Sequence, residues 1–190
     1  MALPRPTTMT ETAYEAVALS EEGRFLELWH GAPLEKPPVS FVHGDIMGEL
    51  AALLTIALPR ERWNIRVEHA RVRARDGSIF IPDVAVVPAA LVARGLAETP
   101  DRLEVYAEPV PFVAEVWSPA TGRYDLRVKL AAYRERGDAE IWRLHPHERT
   151  LTRWLRQEDE TYAELIHTGG PVALAALPDA TIDLGPLFGG

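Results

Sequence analysis

The stretch that most restricts the fold runs from residue 111 to residue 145. Phe112-Val113-Ala114-Glu115-Val116-Trp117 is nearly continuous in apolar residues, as a strand buried on both faces would be. Ser118-Pro119-Ala120-Thr121-Gly122 breaks that run. A helix is then expected over 124–136, with Leu126, Leu130 and Tyr133 as its buried stripe and Gly137 as its stop. A second strand is expected over 140–145. Strand, helix, strand in immediate succession predicts a right-handed parallel crossover, and therefore an α/β sheet with 111–118 near its centre.

The rest of the chain adds to that frame. Thr10 can cap a short helix reaching about Leu19. After Gly23, residues 24–29 read as a strand, turned at His30-Gly31 into a partner that Pro37-Pro38 ends. Ser40 can cap a longer helix whose Ile46, Leu50, Leu53, Leu54 and Ala57 form one apolar stripe and which Pro59 stops. Two strands, 64–75 and 78–87, are expected to meet at the Asp76-Gly77 turn. Residues 88–109 read as a helical excursion and loop, 150–157 and 161–167 as further strands, and the remainder as a Pro-rich closing segment. Residues 1–9 are expected to form a flexible tail and 10–190 a single domain, its core at about 40–147.

Composition narrows the functional classes. With 47% hydrophobic residues, 190 residues suffice for one cored domain. A net charge of −8 argues against a protein that coats nucleic acid, because such binding neutralises many phosphates. It leaves room for a local basic groove, with Arg71, Arg73 and Arg75 expected on one strand face and Arg123, Arg127, Arg134 and Arg136 near the helix, or equally for ordinary pairing of these arginines with acids such as Glu61, Glu68, Asp125 and Glu135. The absence of cysteine excludes disulfides, thiolate metal sites and a cysteine nucleophile. No apolar run approaches membrane-span length and no signal-type core opens the chain, so a soluble cytoplasmic protein is expected.

Three charges stand out against apolar surroundings. Glu115 lies inside the expected central strand, where a carboxylate is costly unless it is paired or bound to a metal. Asp83 follows Pro82, which favours an edge or a break in pairing; alone, it reads equally as a site residue or as a plain acid, solvent-facing or paired with an arginine. Lys129 adjoins the helix stripe, with Asp125 one turn earlier to orient it, and a solvated helix lysine is the plain alternative. Two carboxylates and a lysine can hold a divalent metal and activate water against a phosphodiester. His43 reads as a packed or capping residue or a ligand, and Glu49 as a solvated border residue or an auxiliary ligand.

The ordered combination of Phe25-Leu26-Glu27-Leu28-Trp29-His30-Gly31, His43, Pro82-Asp83-Val84, Glu115-Val116-Trp117-Ser118-Pro119, Asp125, Lys129, Tyr133, Gly137 and Ile141-Trp142 resembles the Uma-type family. That family is a bacterial branch of the PD-(D/E)XK nuclease superfamily, and the resemblance covers nearly the whole chain. It implies a restriction endonuclease-like core, an α-β-β-β-α-β mixed sheet flanked by helices, with extra N- and C-terminal strands. It further implies Asp83 and Glu115 as ligands of Mg²⁺ or Mn²⁺. Trp117 stands where the superfamily places its lysine, two residues after the glutamate. The resemblance assigns that role to Lys129 on the next helix, with Tyr133 as a further site residue, and a long flexible stem can reach back that far.

The leading expectation is a metal-dependent DNA endonuclease with catalytic Asp83, Glu115 and Lys129, possible as a homodimer. The rival is an inactive module of the same fold that binds nucleic acid or a protein partner. A carboxylate-pair glycosidase has no task for Lys129.

Overall fold

In the computed structural model, residues 8–178 and 180–189 are described. Helix α1 (Glu11–Ala18) begins where Thr10 Oγ1 accepts the Ala13 N–H, at 3.2 Å. Strands β1 (Leu26–Trp29) and β2 (Ala32–Glu35) form the N-terminal hairpin. Its turn places both His30 and Gly31 at positive φ, 48° and 78°. Of the tail expected over 1–9, residues 1–7 lie outside the described residues, and the Met9 N–H donates to Gly31 O at 2.7 Å. Helix α2 (Phe41–Ala57) starts at Ser40, whose Oγ accepts the His43 N–H.

The two long strands expected next are each divided. They become β3 (Trp63–Val67), β4 (Arg71–Arg73), β5 (Ile79–Phe80) and β6 (Val84–Pro88). Two local causes act together. Glu68 adopts φ 47°, which turns the chain out of the first strand, and Pro82 has no N–H for a ladder. The Glu68 N–H donates to Asp83 O at 3.0 Å, so the two breaks sit against each other. Helix α3 (Ala89–Glu98) and a short β7 (Val105–Tyr106) follow, then β8 (Phe112–Val116).

From Gly122 to Arg136 the chain is continuously helical: α4 (Gly122–Tyr124), a π-helical turn (Asp125–Lys129) and α5 (Leu130–Arg136). Gly137, at φ 87°, ends it in the left-handed conformation that glycine accepts readily. Strands β9 (Glu140–His145), β10 (Thr150–Arg156) and β11 (Tyr162–His167) lead to a closing hairpin, β12 (Pro171–Ala173) with β13 (Thr181–Asp183), and helix α6 (Leu184–Leu187).

The main sheet has the order β11-β10-β9-β8-β6-β3. Strands β8 and β9 are parallel, while every other pair in this sheet is antiparallel. A second sheet, β2-β1-β5-β4-β7, carries the N-terminal hairpin. The succession α2, β3, β6, β8, helix 122–136, β9 is the expected α-β-β-β-α-β core.

Alternation along the strands sorts the main sheet's side chains. Val84, Val86, Phe112, Ala114, Val116, Trp142 and Leu144 pack with α2, α6 and the closing hairpin. Ala85, Val87, Val113 and Ile141 pack on the other side with Ala132 and Tyr133. Trp142 and Trp154 are core residues, not contact surface.

The helical stripe expected from Leu126, Leu130 and Tyr133 is displaced. Leu126 is 37% exposed, whereas Asp125, Lys129, Ala132, Tyr133 and Arg136 are buried. The helix turns a partly charged face inward because the sheet beneath it offers charges to match.

Candidate active site

Asp83 occupies the bend between β5 and β6, where the two sheets part. In the β6–β8 ladder Val84 faces Ala114, so one step further brings Asp83 level with Glu115. Its carboxylate is buried and fully engaged. Lys36 Nζ lies 2.5 Å from Oδ1, and the Val116 N–H donates to Oδ2 at 2.7 Å. His43 Nε2, delivered by the first turn of α2, approaches Oδ2 to 3.0 Å; neither ring nitrogen of His43 has hydrogen-bond geometry to a partner among the described residues. Burial alone would raise the Asp83 carboxyl, but Lys36 and His43 outweigh it and hold it well below its ordinary 3.8.

Glu115 projects from β8 toward helix 122–136, where α5 supplies Tyr133 and the π-turn supplies Lys129. The Tyr133 hydroxyl donates to Glu115 Oε1 at 2.5 Å. Lys129 Nζ stands 3.2 Å from the same oxygen and 3.5 Å from Oε2. The ammonium also meets Glu27 Oε1 at 2.9 Å, Asp125 Oδ1 at 3.9 Å and the Ile81 carbonyl at 3.2 Å. Burial pushes the Glu115 carboxyl up, against the pull of Lys129. Burial would lower Lys129, but Glu115, Glu27 and Asp125 reverse this and raise it well above its usual value. Asp125 is raised too, chiefly by burial.

The sequence candidates Asp83, Glu115, Lys129, Asp125 and His43 thus line one narrow cleft with a void of about 20 Å³, and Tyr133 supports it from behind. Glu49 does not join them. It follows His43 by six positions on α2, which turns it about 240° around an axis with 3.6 residues per turn. Trp117 does not point a charge into the cleft. Its ring stacks on His145 at 4.2 Å, and a Cβ on Gly122 would fall 2.1 Å from its Nε1. The tryptophan therefore wedges the strand exit against the start of the helix, while Lys129 brings the ammonium from above.

Four participants escaped the sequence reading: Lys36, Glu68, Glu27 and Tyr124. Glu27 is 1% exposed, accepts the Ile81 N–H at 2.8 Å and the Tyr124 hydroxyl at 3.1 Å, and pairs with Lys129. Its signal was present, an acid between Leu26 and Leu28 in an expected strand, the same signal that marked Glu115. Lys36 and Glu68 lie at a strand exit and in a turn, where no pattern distinguishes a buried charge from a solvated one.

Two arginines of the expected basic groove are structural instead. Arg71 is buried and donates to the Tyr14 hydroxyl and the Arg24 carbonyl. Arg136 is buried against Asp138 and donates to the carbonyls of Tyr106 and Glu108. A wider groove of about 540 Å³ beside α3 contains Arg66, Arg94 and Arg102, but Glu104, Glu108 and Glu15 engage them. Arg123 and Arg127 remain exposed on the helix that carries Lys129.

The donor set suits a hard divalent cation in one respect: Asp83 and Glu115 bring carboxylate oxygens to one cleft, and Mg²⁺ is commonly held by one or two carboxylates with waters and substrate phosphates. Among the described residues, no group of three His, Asp or Glu side chains stands ready to hold an ion without such outside ligands.

An acid at a sheet break, an acid on the central strand and a lysine from the following helix define a restriction endonuclease-like α/β protein. Residues 12–185 match the model of the family Uma2, described as "Putative restriction endonuclease", and the chain belongs to that family. The fold is also similar to a crystal structure described as "a putative nuclease belonging to DUF820" from Anabaena variabilis ATCC 29413. That likeness has a TM-score of 0.70 at 16% identity and covers 86% of this chain and 89% of the other. No curated protein matches the chain. No helix among the described residues is long and apolar enough to cross a membrane.

Proposed function

We propose that this protein is a metal-dependent DNA endonuclease that hydrolyses phosphodiester bonds at the cleft between Asp83 and Glu115. One observation carries the reading. Three elements distant in sequence deliver Asp83, Glu115 and Lys129 to a single cleft, with Lys129 Nζ 3.2 Å from Glu115. Asp83 and Glu115 would hold Mg²⁺ or Mn²⁺, which when bound supplies charge neutralisation at the phosphate and a more acidic water. Lys129 offsets negative charge that builds on the phosphate oxygens or holds the attacking water beside Glu115. Tyr133 fixes the orientation of Glu115 through Oε1, leaving Oε2 the less committed oxygen. The Val116 N–H and His43 hold Asp83 from one side. Cutting both strands of a duplex calls for two such clefts, which favours a homodimer working on DNA.

Nicking of supercoiled plasmid tests the reading. Wild-type protein is expected to cut only with Mg²⁺ or Mn²⁺, and Glu115→Ala and Lys129→Ala to lower the rate by about 10²-fold or more. Equal cutting by all three preparations would identify a contaminating nuclease and overturn the proposal.

A second reading has its own observation. Each carboxylate already has a buried ammonium against it, Asp83 with Lys36 and Glu115 with Lys129, so both acids have a cationic partner without an ion. This favours a non-catalytic module that retains the nuclease fold. Calorimetry separates the two, since a wild-type protein that takes up neither Mg²⁺ nor Mn²⁺ fits only the second.

A further inference from the structure

Lys36 has no task in the chemistry above, yet it holds a central place. It leaves the end of β2, its side chain is 7% exposed, and its Nζ lies between two carboxylates. Asp83 Oδ1 is 2.5 Å away and deep; Glu68 Oε1 is 3.0 Å away with its side chain 18% exposed. Pro37, Pro38 and Val39, which follow directly, form part of the cleft wall.

The other oxygen of Asp83 is committed to the Val116 N–H and approached by His43, both supplied by the core of the fold. Oδ1, the oxygen Lys36 occupies, is therefore the one an incoming cation would contest with a mobile side chain. An ammonium and a dication drawn to one carboxylate oxygen in a buried cleft repel each other, because Coulomb repulsion there is weakly screened. Glu68 offers the displaced ammonium a partner that it already touches.

We propose that Lys36 is a built-in competitor for the metal: it holds the ion's place on Asp83 in the empty protein, and loading the site shifts its ammonium onto Glu68. This inference rests on the metal reading of Asp83 and Glu115. Ion binding is then an exchange of one cation for another, which lowers the affinity of the cleft for divalent ions. It also loosens the tie between the 36–39 segment and Asp83 when an ion arrives.

The test is Mn²⁺ binding by the 190-residue protein, followed by calorimetry and by the electron paramagnetic resonance signal of free Mn²⁺. Lys36→Met is expected to bind Mn²⁺ about tenfold or more tighter than wild type, because the competitor is gone. Glu68→Gln is expected to bind it several-fold more weakly, about threefold or more, because the displaced ammonium has lost its second partner. Lys36→Met leaves a buried carboxylate uncompensated, so its melting temperature should rise more with Mn²⁺ than that of wild type. If it does not fold, Glu68→Gln decides alone. Affinity equal to wild type in the folded variants overturns the inference and leaves the metal reading standing. Absence of Mn²⁺ binding in wild type and variants alike removes the metal reading and the inference with it.

Discussion

Lys129 carries the charge balance of the cleft. At 2% exposure it faces Glu27, Glu115 and Asp125, so its removal would leave three buried acids without their common counterion. Breaking a buried pair by deleting one partner costs about 3–5 kcal/mol, and Lys129→Ala is expected to lower the unfolding free energy by about that amount in a urea titration. Tyr133→Phe keeps the packing and loses only the hydroxyl that donates to Glu115 Oε1, so a smaller loss is expected, about 0.5–1.5 kcal/mol for one net hydrogen bond. If Tyr133→Phe were neutral, the hydroxyl would not be what holds Glu115. At this scale the sequence was readable where a charge interrupted an apolar pattern. Glu115 met that condition inside its strand. Lys36 did not, because its partner Asp83 is 47 positions away and nothing in the intervening chain announces the contact.

The helix from Gly122 to Arg136 shows how an element can be expected in place and still face the wrong way. Its limits and its Gly137 stop followed from sequence, but of the apolar stripe Leu126, Leu130, Tyr133 only Tyr133 is fully buried, and Asp125, Lys129, Ala132 and Arg136 join it while Leu126 is exposed. Periodicity assigns the inward face to apolar residues, and that rule fails where the opposing strand presents Glu115. The start of this helix is equally specific. Replacing glycine by alanine inside a helix is ordinarily worth about 1 kcal/mol in favour of alanine. Here the new Cβ would meet Trp117 Nε1 at 2.1 Å, and overpacking costs about 1–3 kcal/mol. The clash is expected to win: Gly122→Ala should lower stability and change the tryptophan fluorescence as Trp117 leaves its stack on His145. Unchanged fluorescence with raised stability would mean that the ring moves aside freely.

For the molecule as a whole, the buried charges predict opposing limbs in the pH profile of stability. Asp83 is held below its ordinary 3.8, so its contribution is full above that value and fades as pH falls through and below it. Glu115 is raised above its ordinary 4.5, so the folded form retains a proton that the unfolded chain releases, and stability declines as pH climbs from that value toward neutrality. Melting temperature is therefore expected to peak on the acid side of neutral. Asp83→Asn should flatten the acid limb and Glu115→Gln the limb toward neutral; a profile unchanged by both substitutions would contradict these shifts. By itself, the sequence determined the order of elements, the parallel crossover and the acid inside the central strand, because apolar periodicity, turn residues and charges in apolar runs are local signals; Asp83 and Lys129 drew their weight from topology and the family resemblance. Only the tertiary structure decided that β3–β6 split between two sheets, that Lys36 enters the cleft while Glu27 meets Lys129 behind it, and that Arg71 and Arg136 serve the scaffold. Those outcomes depend on which distant groups meet once the sheets pack, and a buried charge is stable only where such a meeting supplies its partner.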